Sequence, residues 1–168
     1  MKRINLCIAL LLCFFAFAAF ANDEPIRYDI SFPNAVHHEA LITMTLTDIP
    51  EGSLTVRMSR SSPGRYATHE FGKNIYNVRA TDNQAKSITI NQVEGDVYQI
   101  HAHKGGVKVS YTIFGNWVDG TYLAIDETHA HINIPATFLW AKGLEDQPIV
   151  VKFNDLDKYG WKVATQLK

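Results

Sequence analysis

The stretch IRYDISF, Ile26 to Phe32, alternates apolar and polar residues at every step, and HEALITMTLT, His38 to Thr47, keeps the same rhythm. In the second stretch Ala40, Ile42, Met44 and Leu46 share one side, and Thr43, Thr45 and Thr47 fall on the other. Successive side chains of an extended chain point to opposite faces, so a period of two marks a strand with one buried face. The rhythm recurs along the chain. Asp48-Ile-Pro-Glu-Gly52 reads as a turn and Leu54, Val56 and Met58 alternate beyond it, so the segments flanking this turn are expected to form an antiparallel pair. Ser87 to Val93, Val97 to His103 and Val107 to Phe114 read as strands joined by Glu94-Gly-Asp96 and Lys104-Gly-Gly106, links of hairpin length. Ile149, Val151 and Phe153 mark another strand, and Trp161 to Thr165 a last short one. Thr68 to Ile75 has room for a single helical turn, and no segment carries the apolar stripe at three- and four-residue spacing that a longer helix needs. The expectation is an all-β domain with little helix, of roughly seven to nine short antiparallel strands, built as a sandwich of two sheets or as one strongly curved sheet.

Residues 1–21 are read apart from this domain. Lys2 and Arg3 precede an apolar run from Leu6 to Phe20, and Ala19-Phe20-Ala21 closes it with small residues at the positions a signal peptidase reads. A cleaved signal helix ending at Ala21 is expected, and with it export to the periplasm or beyond the cell. The run is short for a membrane span, and no basic stop-transfer cluster follows Asn22-Asp23-Glu24. Cys13 raises a lipoprotein signal as a rival, but Leu12 stands where such sites want a small residue. Cleavage would also remove Cys7 and Cys13, the only cysteines of the 168 residues, leaving a domain over residues 22–168 held by its core without disulfides. Without Lys2 and Arg3 that domain carries 14 Lys and Arg against 17 Asp and Glu. It shows no basic stripe, so nucleic acid is not an expected partner.

Several stretches invite a chemical reading. His129-Ala-His131 would put both imidazoles on one face of a strand, where Asp126 or Glu127 could complete a metal site; two such residues at this spacing arise often by chance, and the plainer reading has one histidine packing and the other bonded across strands. His101-Ala-His103 repeats the spacing beside a Gly-Gly turn, as solvated strand-end histidines also would. His37-His38-Glu39 opens like the zinc-peptidase signature H-E-x-x-H, but the fourth residue after His38 is Ile42 and the segment alternates like a strand. Ser61 and Ser62 do not sit in a G-x-S-x-G elbow. Ser62-Pro63-Gly64 reads instead as a shaped loop, proline presetting one backbone angle and glycine permitting a positive one. The residues contain no catalytic constellation.

Taken in order, Tyr28-Asp-Ile-Ser-Phe-Pro-Asn34, Arg57-Met58, Ser62-Pro-Gly-Arg-Tyr66, Glu70-Phe-Gly-Lys-Asn74, Ala80-Thr81-Asp82 and Val107 to Ile113 resemble the N-terminal domain of the glycyl aminopeptidase family. These are exported gluzincin metallopeptidases that also carry a PDZ domain. The most specific part is the Ser-Pro-Gly-x-Tyr element, with Glu70-Phe71 eight residues after Ser62. Gly120-Thr-Tyr122, His129-Ala-His-Ile-Asn133, Pro135-Ala-Thr137 and Gly160-Trp-Lys-Val-Ala-Thr165 resemble one branch of the family. The resemblance implies a saddle-like β domain preceding a thermolysin-like catalytic domain. No position here matches the zinc ligands or the general base, so zinc is expected only in a catalytic domain that this sequence lacks, and the chain is not expected to be active alone. Fragment and free-standing domain are both open readings.

The resemblance implies a wall of a substrate cleft, with Asn133 offering an amide, Pro135 interrupting strand pairing, Thr137 offering a hydroxyl, and Phe138, Leu139 and Trp140 packing at an interface with a catalytic domain. Ser62, Pro63, Gly64, Tyr66 and Glu70 are expected to shape a loop. The plain alternative for 132–140 is an edge strand with a bulge. The functional alternative is a stand-alone exported module that binds peptides by strand addition at a sheet edge.

Overall fold

The alternation read from the sequence becomes burial on one face. A computed structural model describes residues 24–168, and the expected signal segment lies outside them. Twelve strands follow in order: β1 (Ile26–Asn34), β2 (Glu39–Leu46), β3 (Gly52–Arg57), β4 (Ile75–Thr81), β5 (Ser87–Ile88), β6 (Ile90–Glu94), β7 (Val97–His103), β8 (Val107–Phe114), β9 (Ala124–Ile125), β10 (Ala130–His131), β11 (Trp140–Ala141) and β12 (Ile149–Phe153). In β1 the buried set is Ile26, Tyr28, Ile30 and Phe32, and in β8 it is Val107, Val109, Tyr111 and Ile113. The single helical turn expected between Thr68 and Ile75 is a 3-10 turn at Phe71–Asn74. No helix among the described residues is long and apolar enough to cross a membrane.

Of the two arrangements expected, the chain adopts two packed sheets. The larger has the order β12-β1-β2-β8-β4-β5, the smaller β11-β3-β7-β6, and β9 and β10 form a separate ribbon. Side chains from both sheets make one core, with Ile30, Ile42, Met44 and Tyr111 from the first layer against Val56 and Ile100 from the second. Pairing is antiparallel except where β12 runs parallel to β1.

Two expected hairpins are crossovers instead. β2 has both edges occupied, by β1 and by β8. No edge is left for β3, and the chain leaves β2 for the other layer, where β3 pairs with β7 and β11. The Lys104-Gly-Gly106 link returns the chain in the opposite sense, from β7 in the smaller sheet to β8 in the larger. The two crossovers hold each other: Ile49, buried in the first, donates its backbone N–H to the Gly105 carbonyl of the second (3.0 Å). Of these three links, Glu94-Gly-Asp96 alone closes a hairpin, between β6 and β7. Turn chemistry reports that the chain reverses, and not whether it reverses within a sheet or between sheets.

Two further expectations need correction. Trp161 to Thr165 forms no strand. Gly160 turns the chain with φ of +66°, and the Trp161 ring packs edge-on against Phe32 (5.1 Å between centroids). The 132–140 stretch is not an edge strand with a bulge. Ile134–Thr137 makes one helical turn with Pro135 in its first positions, where a missing N–H costs nothing, and the edge strand that follows is only Trp140–Ala141.

That turn is tied to the larger sheet from below. Tyr111 donates its hydroxyl to the Thr137 carbonyl (3.0 Å) and accepts the Leu139 N–H (3.1 Å), while Tyr28 donates to the Leu139 carbonyl (2.7 Å). Burial raises the pKa of both phenols, so they stay protonated donors throughout the physiological range. The 137–139 backbone thus satisfies in the core the polar groups it cannot pair in a sheet.

Replacing Tyr111→Phe keeps the ring and leaves the Leu139 N–H buried without its partner, so chemical denaturation should show a loss of about 1–3 kcal/mol. A second expectation concerns His103, which is buried at the end of β7. Burial lowers its pKa, and the Glu51 carboxylate opposes this only in part. The unfolded chain then binds the proton more readily than the folded one, so the histidine's contribution is complete above the ordinary imidazole value of about 6.5 and is lost as pH falls below it. Melting temperatures measured from about pH 7.5 down to pH 5.5 should fall, and His103→Leu should flatten that decline.

Candidate functional site

Three loops that lie far apart in sequence meet around one side-chain amide. Asn133 precedes the Ile134–Thr137 turn in extended conformation (φ −91°, ψ 117°). Its Nδ2 donates to the Ser62 hydroxyl (3.2 Å) and, by a short bond, to the Thr121 carbonyl. Its own carbonyl accepts the Ala136 N–H (3.0 Å) and the Thr137 hydroxyl (2.8 Å). Ser62, Thr121 and Thr137 are all buried. Asn133 therefore joins the 59–70 loop, the 115–123 loop and the helical turn, and both its amide and the Thr137 hydroxyl are spent on internal bonds.

Each loop is shaped from within. Gly64 takes φ of +77° after Pro63, and the Arg65 N–H bonds back to the Ser62 carbonyl (3.1 Å), closing the turn that Ser62-Pro63-Gly64 encodes. In the second loop Asp119 Oδ1 accepts the N–H groups of Thr121 (2.6 Å) and Tyr122 (3.2 Å). These bonds, the Thr121 amide foremost, hold the Asp119 carboxyl below its ordinary pKa, and Arg65 approaches its other oxygen at 3.7 Å from the first loop. That pair is half exposed and adds little stability. It does fix which way the two loops face.

Beneath the loops lies an aromatic pack. His69 is buried, stacks on Phe71 (4.8 Å, 11° between planes) and meets Tyr122 edge-on (5.6 Å, 88°). Its Nδ1 lies 3.2 Å from the Tyr122 hydroxyl. Phe71 is fully buried, and the next residue must be glycine, because a Cβ on Gly72 would stand 2.7 Å from the Gly95 carbonyl oxygen and 2.8 Å from the Asp96 Cα. The motif around Glu70-Phe71 is thus an anchor: Phe71 and Gly72 seat the loop on the β6–β7 turn, and Glu70 stays exposed, 3.4 Å from Lys73.

Four apolar residues stand out to solvent on this cluster. Tyr66 is fully exposed at the tip of the first loop, Trp117 and Val118 are 62% and 86% exposed in the second, and Ile134 is 49% exposed on the helical turn. Trp117 is braced rather than loose, tilting against Tyr122 at 5.5 Å. Phe138 and Leu139 are buried in this domain's own core, and Trp140 lies at the edge of β11 with the Arg57 guanidinium 5.6 Å from its ring centroid. Trp117, Val118 and Ile134 escaped the reading of the sequence. The available signal was a Trp-Val pair beside an Asp-Gly turn, outside any strand alternation.

The histidine pairs stay apart from this cluster. His129 Nδ1 lies 3.0 Å from the Thr128 hydroxyl and 3.3 Å from Asp126, and His131 is exposed on β10. The Asp126 carboxyl is held well below the usual carboxylate range, first by the Thr128 hydroxyl and then by the N–H groups of His129 and Thr128. It caps its own turn. His101 and His103 diverge, His101 reaching Asn91 (3.1 Å) at the surface while His103 turns into the core. His38 bonds the Ile125 carbonyl through Nδ1 (2.5 Å). Among the described residues no three His, Asp or Glu side chains converge to hold a metal, so the residues present do not fit a zinc site.

Residues 27–168 match the family described as Peptidase M61 N-terminal domain. Among solved structures, an aminopeptidase N family protein from Idiomarina loihiensis is similar with a TM-score of 0.72 at 21% identity, a likeness of fold. The match covers 76% of this chain and 22% of that one, so this chain spans a small part of that protein's length. No curated protein matches the chain.

Replacing Asn133→Ala removes the amide that ties the three loops together. Hydrogen exchange should quicken across 60–69 and 117–122 while the β1, β2 and β8 amides keep their protection, with a global loss of about 1–2 kcal/mol.

Proposed function

The chain belongs to the Peptidase M61 N-terminal domain family, and from that premise we propose that it is the β domain of an exported metallo-aminopeptidase, docking a zinc catalytic domain and walling one side of its substrate cleft. The observation that carries this reading is the set of exposed apolar residues on the three bonded loops: Tyr66, Trp117, Val118 and Ile134. Bulky apolar groups held out to solvent on well-ordered loops are costly unless something covers them. Here the bonding of Asn133 and Asp119 joins the segments that carry them, and the Tyr122 ring braces Trp117. Aromatic residues fixed before docking lose little entropy on binding, which is the property of interface anchors.

In this reading Asn133, Pro135 and Thr137 act by shape. They set the helical turn that presents Ile134 toward the partner, and Ser62, Pro63, Gly64 and Tyr66 set the neighbouring loop. Phe138 and Trp140 bound the same surface, Phe138 from within the core and Trp140 from the edge of β11. In this reading zinc and the general base belong to the catalytic partner.

The test is a binding titration between the chain and a separately produced catalytic domain of an M61 peptidase. A saturable complex is expected, weakened at least about tenfold by Trp117→Ser and by Ile134→Asp, with melting temperatures unchanged because both side chains are exposed. Absence of a complex, or equal binding by both variants, would overturn the docking surface.

A further inference from the structure

The sandwich is open along one side. Among the described residues β5 pairs only with Ala80 and Thr81 of β4, so no strand is paired to the outer edge of β4 at Ile75–Val78. Among them, too, β6 ends the smaller sheet and pairs only with β7. Between these two edges lies a cleft of about 320 Å³, at the small end of ligand-binding volumes. Ile75 and Tyr98, both buried, and the partly buried Val78 and Ile90 give it apolar walls, and the side-chain amides of Asn77 and Gln92 stand among them. No charged residue lines it.

Two irregularities shape the cleft. β4 shifts register against β8 between Tyr76 and Arg79, and Asn77 takes φ of +54°, a left-handed conformation that asparagine tolerates better than most residues with a side chain. The bulge leaves Asn77 and Val78 outside the ladder. On the other wall β6 is regular from Ile90 to Gln92 and shifts register only beyond, before Glu94. That regular edge carries no lysine and no proline, the residues with which edge strands are usually protected against pairing.

We propose that this cleft between β4 and β6 is a binding site for an uncharged extended peptide of about three to four residues, which adds as a strand to the free edge of β6. Neutral walls fit a ligand recognised through its backbone. The added strand would turn alternate apolar side chains onto Ile75, Val78, Ile90 and Tyr98, and the Asn77 amide and the Gln92 side-chain oxygen can meet its peptide groups, the Gln92 Nε2 being already bonded to the Gly95 carbonyl (3.1 Å). The site is independent of the loop cluster around Asn133.

The probe is the blocked peptide acetyl-Ser-Val-Ser-Val-Ser-Val-amide, titrated onto the isotope-labelled full chain while backbone amide shifts are followed. Saturable shifts confined to 75–78 and 90–94 are expected, with affinity falling at least about tenfold when alternate peptide nitrogens are methylated, because strand addition requires those N–H groups. Gln92→Trp, an exposed position where the larger ring would fill the mouth, should abolish the shifts, and Trp117→Ser should leave them intact. The site is overturned by lack of saturable shifts, by shifts centred elsewhere, by equal binding of the methylated peptide, or by sedimentation showing that copies of the chain pair through β6.

Discussion

Two buried phenols hold the layers in relation to each other. Tyr28 and Tyr111 stand on the inner faces of β1 and β8, neighbours of β2 on opposite sides in the larger sheet, and both hydroxyls reach the 137–139 backbone. That segment runs straight into β11, the edge of the smaller sheet. Hydrophobic contact between sheets is non-directional and would tolerate sliding, whereas three hydrogen bonds at 2.7–3.1 Å have one geometry. The helical turn at Ile134–Thr137 owes its place to them. So does Asn133 at its start, and through Asn133 the two loops that bear Ser62 and Thr121. Core, turn and loop cluster thus form one chain of dependence that begins with two tyrosine hydroxyls.

The residues that carry the family likeness acquire physical roles from this arrangement. Tyr28 is a hydrogen-bonding strut, and Phe71-Gly72 seats a loop on a turn that tolerates no side chain at that point. Ser62 is a buried acceptor for Asn133, and Thr137 closes a bond within its own turn. None of these groups is exposed to a substrate. A motif made of such residues specifies the shape of a surface, while of the exposed apolar residues only Tyr66 belongs to the motif and Trp117, Val118 and Ile134 lie outside it. This division follows from chemistry: a polar group buried in a loop needs a specific partner, and an exposed apolar group needs only to be apolar and held still.

Much of the site was legible at the level of segments and little at the level of side-chain roles. The Ser62-Pro63-Gly64 turn followed from local backbone preferences, and the structure has it. Asn133 and Thr137 stood out in the sequence as groups with bonds to offer, but their partners are 71 residues away in one case and 4 in the other, and spacing alone cannot reveal which donor is already satisfied. The paired histidines stood out because two imidazoles at strand spacing share a face. Whether a third ligand meets them depends on which loops converge there, and the neighbours of His129 are its own Asp126 and Thr128.

The sequence by itself determined the longer alternating strands β1, β2, β3, β7 and β8, because a period of two is a local property and survives in any arrangement that has an inside and an outside, whereas β4, whose alternation is broken by its bulge, was not legible there. It determined that the chain turns at 48–52, 94–96 and 104–106, because proline, glycine and aspartate act on their own backbone. Only the tertiary structure decided which of those turns stays within a sheet. That choice depends on edges already taken: with β1 and β8 on either side of β2, β3 had to cross to the other layer. It likewise decided that Trp161 packs on Phe32 instead of continuing a strand, and that Phe138 and Leu139 face inward while Trp117 and Ile134 face out. Burial is settled by competition among all apolar groups for one core of limited volume, and no window of sequence contains the other competitors.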